Sequence, residues 1–268
     1  MLEKFKANIL FTKLLQRPDI NKAYAMVGPE DSWYDTITKV HNSLKEIQEL
    51  PHELLEITSH AEREWAFPGL FYLSLGCNVL IPYQRAHGLS EGKYITFGAF
   101  EHLDMLKWIE RVNEINPEGS VIVHGLSMGG GIVLDLADKD MKNVKGIISD
   151  APSVSIKAFF ENISKDVFKK SGAKVAKCAI QRFEKEFGVD INHFECINIA
   201  ANSKYPILLS AGSNEHMDDV LQAIKKANPK ETEIIILPGC NHGNGMYKQT
   251  ELYQGRIKAF INKVIGEM

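Results

Sequence analysis

Three short apolar runs in the second half of the chain each lead into a break rich in glycine or asparagine. The runs cover residues 120–124, 206–211 and 232–237, and apolar residues recur at helical spacing in much of the chain around them. Continuous apolar runs of this length are typical of strands that are covered on both faces. The pattern therefore predicts an α/β fold, with a mostly parallel sheet and helices on both of its faces.

The first 50 residues show helical spacing in two groups, separated by the turn sequence of residues 27–31. We expect two helices that pack on the core. Residues 1–50 would then form an N-terminal helical region, and residues 51–268 the main domain. The apolar positions are Phe5, Ile9 and Leu14 in the first group, and Trp33, Ile37, Val40, Leu44 and Ile47 in the second.

A further helical region lies within residues 151–205, with helices predicted over residues 156–170 and 173–187. An insertion at this place in an α/β fold lies above the carboxyl ends of the strands, so we expect a small helical cap. Asp150, just before it, is expected to anchor the cap or to form a salt bridge within it. Five lysines of the cap form either a basic face or an ordinary solvated surface: Lys165, Lys169, Lys170, Lys174 and Lys177.

The first apolar run leads into the sequence Gly125-Leu-Ser-Met-Gly129, which is followed by an apolar helical pattern. A G-x-S-x-G sequence between a strand and a helix predicts a nucleophile elbow, a tight turn that strains the backbone of the serine and needs small residues around it. Ser127 is the predicted nucleophile, and the backbone N–H of Met128 is placed to bind an oxyanion. The alternative is an ordinary glycine-rich turn.

A nucleophilic serine needs a base and a carboxylate that orients the base. Glu215 follows the second apolar run, and His242 follows the third in a turn rich in glycine and asparagine. The order Ser, acid, His, with each residue on the loop after a strand, is the order of an α/β-hydrolase triad. Asp218 and Asp219 lie close enough in the sequence to compete with Glu215 for the acid position.

From about Ala61 to the carboxyl terminus, the chain resembles bacterial α/β-hydrolases of the small esterase and prolyl-oligopeptidase-like type. Residues 78–92, N-V-L-I-P-Y-Q-R-A-H-G-L-S-E-G, are similar to the fourth strand of that family and its loop, and residues 124–130 match the elbow. The helix between them is matched at Gly98, Glu101, Asp104 and Trp108.

The resemblance implies a Ser-His-acid hydrolase, with Ser127 as nucleophile, His242 as base and Glu215 in the acid position. The chain departs from the family pattern at Tyr83, where an aspartate is usual, and at Glu215, where the acid is usually Asp. Arg85, His87 and Ser90 are expected to brace the loop after the fourth strand, and His124 to be packed and hydrogen-bonded.

The part before Ala61 is shorter than in the family, which carries further strands there and a His-Gly segment that supplies the second oxyanion donor. Only residues 53–57 resemble a strand, so the N-terminal strands are predicted to be shortened or missing. Either these residues serve as a substitute strand or a segment is missing from the sequence. A backbone N–H near Thr58 or Ser59 is the expected second donor.

The fourth strand, predicted at Cys77–Pro82, would then lie at a sheet edge. An exposed edge of this kind needs a cover. We expect the N-terminal helices, or a second copy of the chain in a homodimer, to lie against it.

Length, net charge and cysteine content limit the kinds of protein that this chain is expected to be. The chain has 268 residues, of which 44% are hydrophobic, and this is enough to bury a full α/β core. A net charge of −3 gives no reason to expect nucleic acid or a membrane as a partner. The N-terminal apolar stretch is too short for a secretion signal, and four scattered cysteines favour reduced thiols and a cytoplasmic protein. Neither a metal nor a cofactor is expected.

These features together predict a serine hydrolase that cleaves the acyl bond of a small-molecule ester or amide through an acyl-enzyme. A carboxylesterase is favoured over a peptidase of the same fold. The alternative is a catalytically weak or non-enzymatic binding protein on the same scaffold.

Overall fold

A computed structural model describes residues 2–15, 61–87 and 90–266 of the chain. Its four described strands form one parallel sheet in the order β1-β2-β3-β4. The strands are β1 (Val121–Leu126), β2 (Val144–Asp150), β3 (Ile207–Gly212) and β4 (Thr232–Leu237). The three apolar runs are therefore strands, within two residues of their expected ends.

Helices flank the sheet and connect its strands. They are α1 (Leu2–Leu15), α2 (Ala61–Ser74), α3 (Glu101–Ile115), α4 (Met128–Leu134), α5 (Ile156–Phe168), α6 (Gly172–Phe187), α7 (Cys196–Ala200), α8 (Asp218–Ala227), α9 (Gly245–Lys248) and α10 (Thr250–Ile265). Across the described ranges, no helix combines the length and the hydrophobicity that crossing a bilayer would require.

Both faces of the sheet are covered by apolar side chains, because neighbouring strand residues point to opposite faces. On one face Ile147 and Leu209 join a cluster with residues of α3, α4, α7 and α8. On the other face Ile148 and Leu208 pack with α2, α9 and α10, where Phe260 is 2% exposed. Helices on both faces of a parallel sheet confirm the predicted fold class.

The cap segment has an apolar core of its own, in which the rings of Phe11, Phe160 and Phe183 are fully buried. Helices α5 and α6 pack against each other and α1 packs against α6. Phe11 of α1 stacks on Phe187 with ring centroids 6.0 Å apart, and the guanidinium of Arg182 lies 4.0 Å from the centre of the Phe11 ring. The remainder of the predicted N-terminal helical region, from residue 16 to residue 50, lies outside the described residues.

The strand predicted at Cys77–Pro82 is wrong for the described structure. Residues 77–84 have no strand pairing there, and β2 is the only described strand that pairs with β1. An extended segment becomes a strand only when a neighbour takes up its backbone hydrogen bonds. Residues 53–57, the possible substitute strand, lie outside the described residues.

Candidate active site

Ser127 occupies a strained turn between β1 and α4. Its backbone φ is 56° and its ψ is −114°, a conformation that residues other than glycine rarely adopt. Three backbone hydrogen bonds hold it. The N–H of Ser127 donates to the carbonyl of Asp150 at 2.8 Å, and its own carbonyl accepts from Gly131 and Ser153 at 3.1 and 2.9 Å. The elbow predicted from the sequence is therefore tied to the end of β2.

The glycines around the elbow have unequal roles. A Cβ added at Gly125 would collide with the carbonyl of Gly129, and one added at Gly131 would collide with the carbonyl of Ser153. At Gly129 the nearest atom to such a Cβ is Nε2 of Gln84 at 3.8 Å, which is an ordinary contact. Gly125 is thus required by close packing, as expected, whereas Gly129 is not.

The three residues predicted for the triad lie in one chain of hydrogen bonds. Ser127 Oγ is 2.7 Å from His242 Nε2, and His242 Nδ1 is 2.6 Å from Glu215 Oε2. They come from the loops after β1, β4 and β3, whose carboxyl ends share one edge of the sheet. The competing carboxylates, Asp218 and Asp219, are exposed in the first turn of α8.

Glu215 is well held for this geometry. Its side chain is only 6% exposed, and the oxygen that does not face His242 accepts a hydrogen bond from the N–H of Gly212 at 2.7 Å. Asn214 links its loop to the loop of His242, because its N–H donates to the carbonyl of Cys240 and its side chain donates to Asn241, both at 3.0 Å. The loops that carry the acid and the histidine are therefore fastened to each other.

The electrostatics of His242 suit proton transfer. The hydrogen bond that His242 donates to Glu215 raises the pKa of His242 above its ordinary value, although partial burial opposes this. Because Nδ1–H donates to the carboxylate, Nε2 is left to accept the hydroxyl proton of Ser127. The His242 side chain is 55% exposed, so the hydroxyl and the imidazole are open to an incoming molecule.

Of the two predicted oxyanion donors, Met128 and Thr58, only Met128 lies within the described residues. Met128 is the first residue of α4, and the first N–H groups of a helix have no acceptor within that helix. Thr58 lies outside the described residues. Gln84 was missed by the sequence analysis, although its amide lies beside the elbow at Gly129.

The loop of residues 83–90 is braced in its described part. Both carboxylate oxygens of Asp104 accept hydrogen bonds from Arg85 at 2.7 Å, and the guanidinium of Arg85 lies 5.2 Å from the centre of the Phe100 ring. Ser90 Oγ donates to the carbonyl of Tyr83 at 3.0 Å. These contacts agree with the bracing role expected for Arg85 and Ser90.

Asp150 requires a correction. It neither anchors the cap nor forms a salt bridge within it, because its carboxylate accepts hydrogen bonds from Ser210 in β3 and Tyr253 in α10. Tyr253 also contacts His124, which in turn contacts Tyr72, so His124 is packed and hydrogen-bonded as expected. No local motif marks this network in the sequence. In the residues that the structure describes, no cluster of side chains is suited to hold a metal ion.

Comparisons with known proteins agree with this architecture. Residues 73–189 match a family model described as serine aminopeptidase, S33. Among curated proteins, an uncharacterized protein of Bacillus subtilis, YqkD, is 42% identical over 59 residues. That match covers 22% of this chain and 19% of the length of YqkD.

Solved structures resemble the chain over a larger part of its length. The Pyrococcus furiosus esterase Pf2001 has a TM-score of 0.58 at 24% identity, over 76% of each chain. An alpha-beta hydrolase of Vibrio vulnificus has a TM-score of 0.54 at 20% identity, over 75% of this chain and 70% of its own. A carboxylesterase structure of Nitrososphaera gargenis has a TM-score of 0.52 at 19% identity, over 75% and 85%. The family match and these likenesses agree on one fold, and the chain has the α/β-hydrolase fold.

Proposed function

We propose that the chain is a serine hydrolase that cleaves carboxylic esters of small molecules through an acyl-enzyme. The observation that carries the proposal is the continuous hydrogen-bond chain from Ser127 through His242 to Glu215, with distances of 2.7 and 2.6 Å. Distances of this size are those expected between a nucleophile, its base and the group that orients the base.

The reaction follows from the proton positions. Ser127 Oγ attacks the carbonyl carbon while its proton passes to His242 Nε2, and the carboxylate of Glu215 stabilises the imidazolium that forms. His242 then returns the proton to the leaving alkoxide, which leaves an ester between Ser127 and the acyl group. A water molecule, deprotonated by His242, hydrolyses that ester and restores the serine. No cofactor or metal is needed in this scheme.

The oxyanion that forms at the carbonyl would be bound by the N–H of Met128, which begins α4. A second donor is proposed near Thr58. Loss of one oxyanion donor costs about 10²–10³ in rate, so a chain with a weak second donor would be a slow enzyme rather than an inert one.

Ester cleavage is favoured over peptide cleavage because the solved structures of similar fold include an esterase and a carboxylesterase. The second candidate is a peptidase, since the matched family model is described as a serine aminopeptidase. That match ends at residue 189, before Glu215 and His242, and therefore bears on the elbow and the cap segment but not on the complete triad.

The test combines covalent labelling with turnover. We expect a fluorophosphonate probe to label Ser127, and p-nitrophenyl butyrate to be hydrolysed faster than an aminoacyl p-nitroanilide. Ser127→Ala removes the labelled atom, and His216→Ala is the matched histidine control, because His216 is exposed next to Glu215 and is not bonded to Ser127. Absence of labelling in folded protein would refute the proposal and favour a binding protein. Faster turnover of the anilide would favour the peptidase.

A further inference from the structure

A second carboxylate lies close to the proposed triad and is buried among polar side chains. Asp150, at the end of β2, is 3% exposed. Its Oδ1 is 2.6 Å from Ser210 Oγ and its Oδ2 is 3.1 Å from the hydroxyl of Tyr253. That hydroxyl is 3.2 Å from His124 Nε2, and His124 Nδ1 is 2.7 Å from the hydroxyl of Tyr72. The proposed catalytic steps use none of these side chains.

The hydrogen bonds in this network all run from donor to acceptor toward Asp150. An ionised carboxylate can only accept hydrogen bonds, so Ser210 and Tyr253 both donate to Asp150. The single hydroxyl proton of Tyr253 is then committed, and His124 Nε2–H must donate to the Tyr253 oxygen. Desolvation lowers the pKa of His124 to about 3, so its ring is neutral at ordinary pH. Its Nδ1 consequently accepts from Tyr72, and the chain of donors ends at Asp150.

Asp150 is also joined to the residues of the proposed triad. Its carbonyl accepts the N–H of Ser127 at 2.8 Å, so the same residue fixes the strained elbow. Ser210 stands two residues before Gly212, whose N–H holds Glu215. The raised pKa of His242 is due first to the hydrogen bond with Glu215, and the negative charge of Asp150 adds to it.

We propose that Asp150 is a positioning residue of the active site, a second carboxylate that two hydroxyl donors keep ionised so that its charge stabilises the imidazolium of His242. This inference rests on the proposed function. It adds to that function a second source of stabilisation for the imidazolium of His242. Glu215 acts by direct contact, and the buried Asp150 acts at a distance through the low-dielectric interior.

A purely structural link between Ser210 and Tyr253 would not need the negative charge of Asp150. Burial raises the pKa of Asp150 to about 6, while the hydrogen bonds from Ser210 and Tyr253 lower it in part. Keeping a carboxylate ionised in the interior costs free energy, whereas an asparagine could bridge the same two hydroxyls without a charge. The stabilisation of a developing imidazolium gives the charge a role.

Titratable groups on several neighbouring elements interact with Asp150 or with the side chains around it. Glu215 raises the pKa of Asp150 and His242 lowers it. Across the network the interacting groups are Tyr72 within α2 and Cys77 after it, His124 on β1, Ser210 on β3, Cys240 after β4, Lys248 on α9 and Tyr253 on α10. Since Asp150, Glu215 and His242 are coupled, the acidic limb of the rate belongs to the group of residues as a whole.

The experiment is a direct titration of His242 by NMR of its imidazole protons, together with kcat and KM for p-nitrophenyl butyrate between pH 5 and pH 9. The chain has nine histidines, so the His242 resonance is identified by its loss in His242→Gln. In Asp150→Asn we expect His242 to titrate at a lower pH, because a negative charge that favours its protonated form is removed. The acidic limb of kcat/KM should move in the same direction.

We also expect kcat of Asp150→Asn to fall about tenfold, with little change in KM, since the lost interaction acts mainly in the transition state. Tyr253→Phe removes one donor and makes Asp150 easier to protonate, so its loss of rate should be larger at pH 6 than at pH 8. Asp135→Asn is the matched control, because Asp135 is another buried carboxyl, 5% exposed, and its acceptor contact is with Cys196 rather than with this network.

An unchanged titration of His242 in Asp150→Asn would overturn the proposal, even if kcat falls, because the role would then be structural only. If Asp150→Asn does not fold, Ser210→Ala and Tyr253→Phe take its place, and an unchanged titration in both would likewise refute the idea. The NMR measurement needs no substrate. A shifted titration in a protein that cleaves no ester would therefore refute the proposed function while leaving the coupling between Asp150 and His242 established.

Discussion

The carboxyl edge of the sheet and the cap helices hold their side chains in different ways. At the edge, Ser127, His242 and Glu215 are joined by hydrogen bonds of 2.7 and 2.6 Å, and His242 is more than half exposed. In the cap, Phe183 is fully buried and lies 4.8 Å from Phe187 and 5.6 Å from Phe160, measured between ring centroids. One region is organised by directional polar contacts and the other by apolar packing.

This difference implies that the edge residues serve mainly the reaction, whereas the cap core serves mainly the stability of the fold. Polar groups near solvent exchange hydrogen bonds with water on unfolding, so each contributes only about 0.5–1.5 kcal/mol to the free energy of unfolding. A buried aromatic ring contributes several times more, because its whole surface is removed from water. Substitutions at the edge should therefore change activity with little effect on stability, and substitutions in the cap core should do the reverse.

The largest expected effect is at the edge. Ser127→Ala and His242→Ala should each lower kcat for p-nitrophenyl butyrate by about 10⁴-fold or more, and the double variant should be little worse, because the two residues act as a unit. Melting temperatures by circular dichroism should stay within a few degrees of the parent. Losses that multiply in the double variant would mean that the two residues act independently.

A cap variant should give the opposite result. Phe183→Ala leaves a cavity where a fully buried ring packed, so we expect about 3–5 kcal/mol to be lost from the free energy of unfolding, measured in urea. The matched control is Val167→Ala, since Val167 of α5 is 59% exposed and should change stability by less than about 0.5 kcal/mol. A stable Phe183→Ala protein would contradict the assignment of stability to this core.

The acid position gives a smaller effect on activity. Glu215→Gln keeps the shape of the side chain but removes the charge that stabilises the imidazolium, so kcat should fall by about 10²–10³-fold. Asp218→Asn and Asp219→Asn are the controls and should leave kcat within about twofold, because both residues are exposed in α8. If either control is the more damaging change, the acid assignment is wrong.

A buried carboxylate outside both regions measures the cost of charge burial alone. Burial raises the pKa of Asp135 to about 7, from 3.8. The folded state therefore disfavours the ionised form, and this penalty grows from about pH 4 and is complete above pH 7. Asp135→Asn should raise the melting temperature at pH 8, by an amount equivalent to about 1 kcal/mol, and should raise it less at pH 5. An equal change at both pH values would show that the pKa of Asp135 is not raised in the folded protein.

Much of the sheet and the site could be predicted because the signals are local. Strands buried on both faces require continuous apolar runs, and residues 206–211 and 232–237 show them. Ser127, Glu215 and His242 each follow such a run directly, so their order along the chain already places them at one edge of a parallel sheet. The choice between Glu215 and Asp218 could not be made in this way, because two carboxylates three residues apart give the same signal.

The errors occurred where a residue depends on distant partners. Residues 77–82 have the composition of a strand, but pairing is a property of the neighbour as well as of the segment. Gly129 fits the elbow motif, yet only the approach of Gln84 decides what a side chain at that position would meet. Asp150 adjoins the cap in the sequence, whereas its hydrogen-bond donors come from β3 and α10.

The sequence by itself determined the period of the elements, the order of the triad residues along the chain and the place of the nucleophile, because the spacing of neighbouring residues shows each of these. Tertiary structure alone decided which carboxylate meets His242 and where the proton network of Tyr72, His124, Tyr253 and Asp150 ends. A hydrogen bond needs two groups within about 3 Å in a defined direction. These pairs are separated by 27 to 129 positions in the sequence, so they satisfy that condition only after the sheet and its helices have packed.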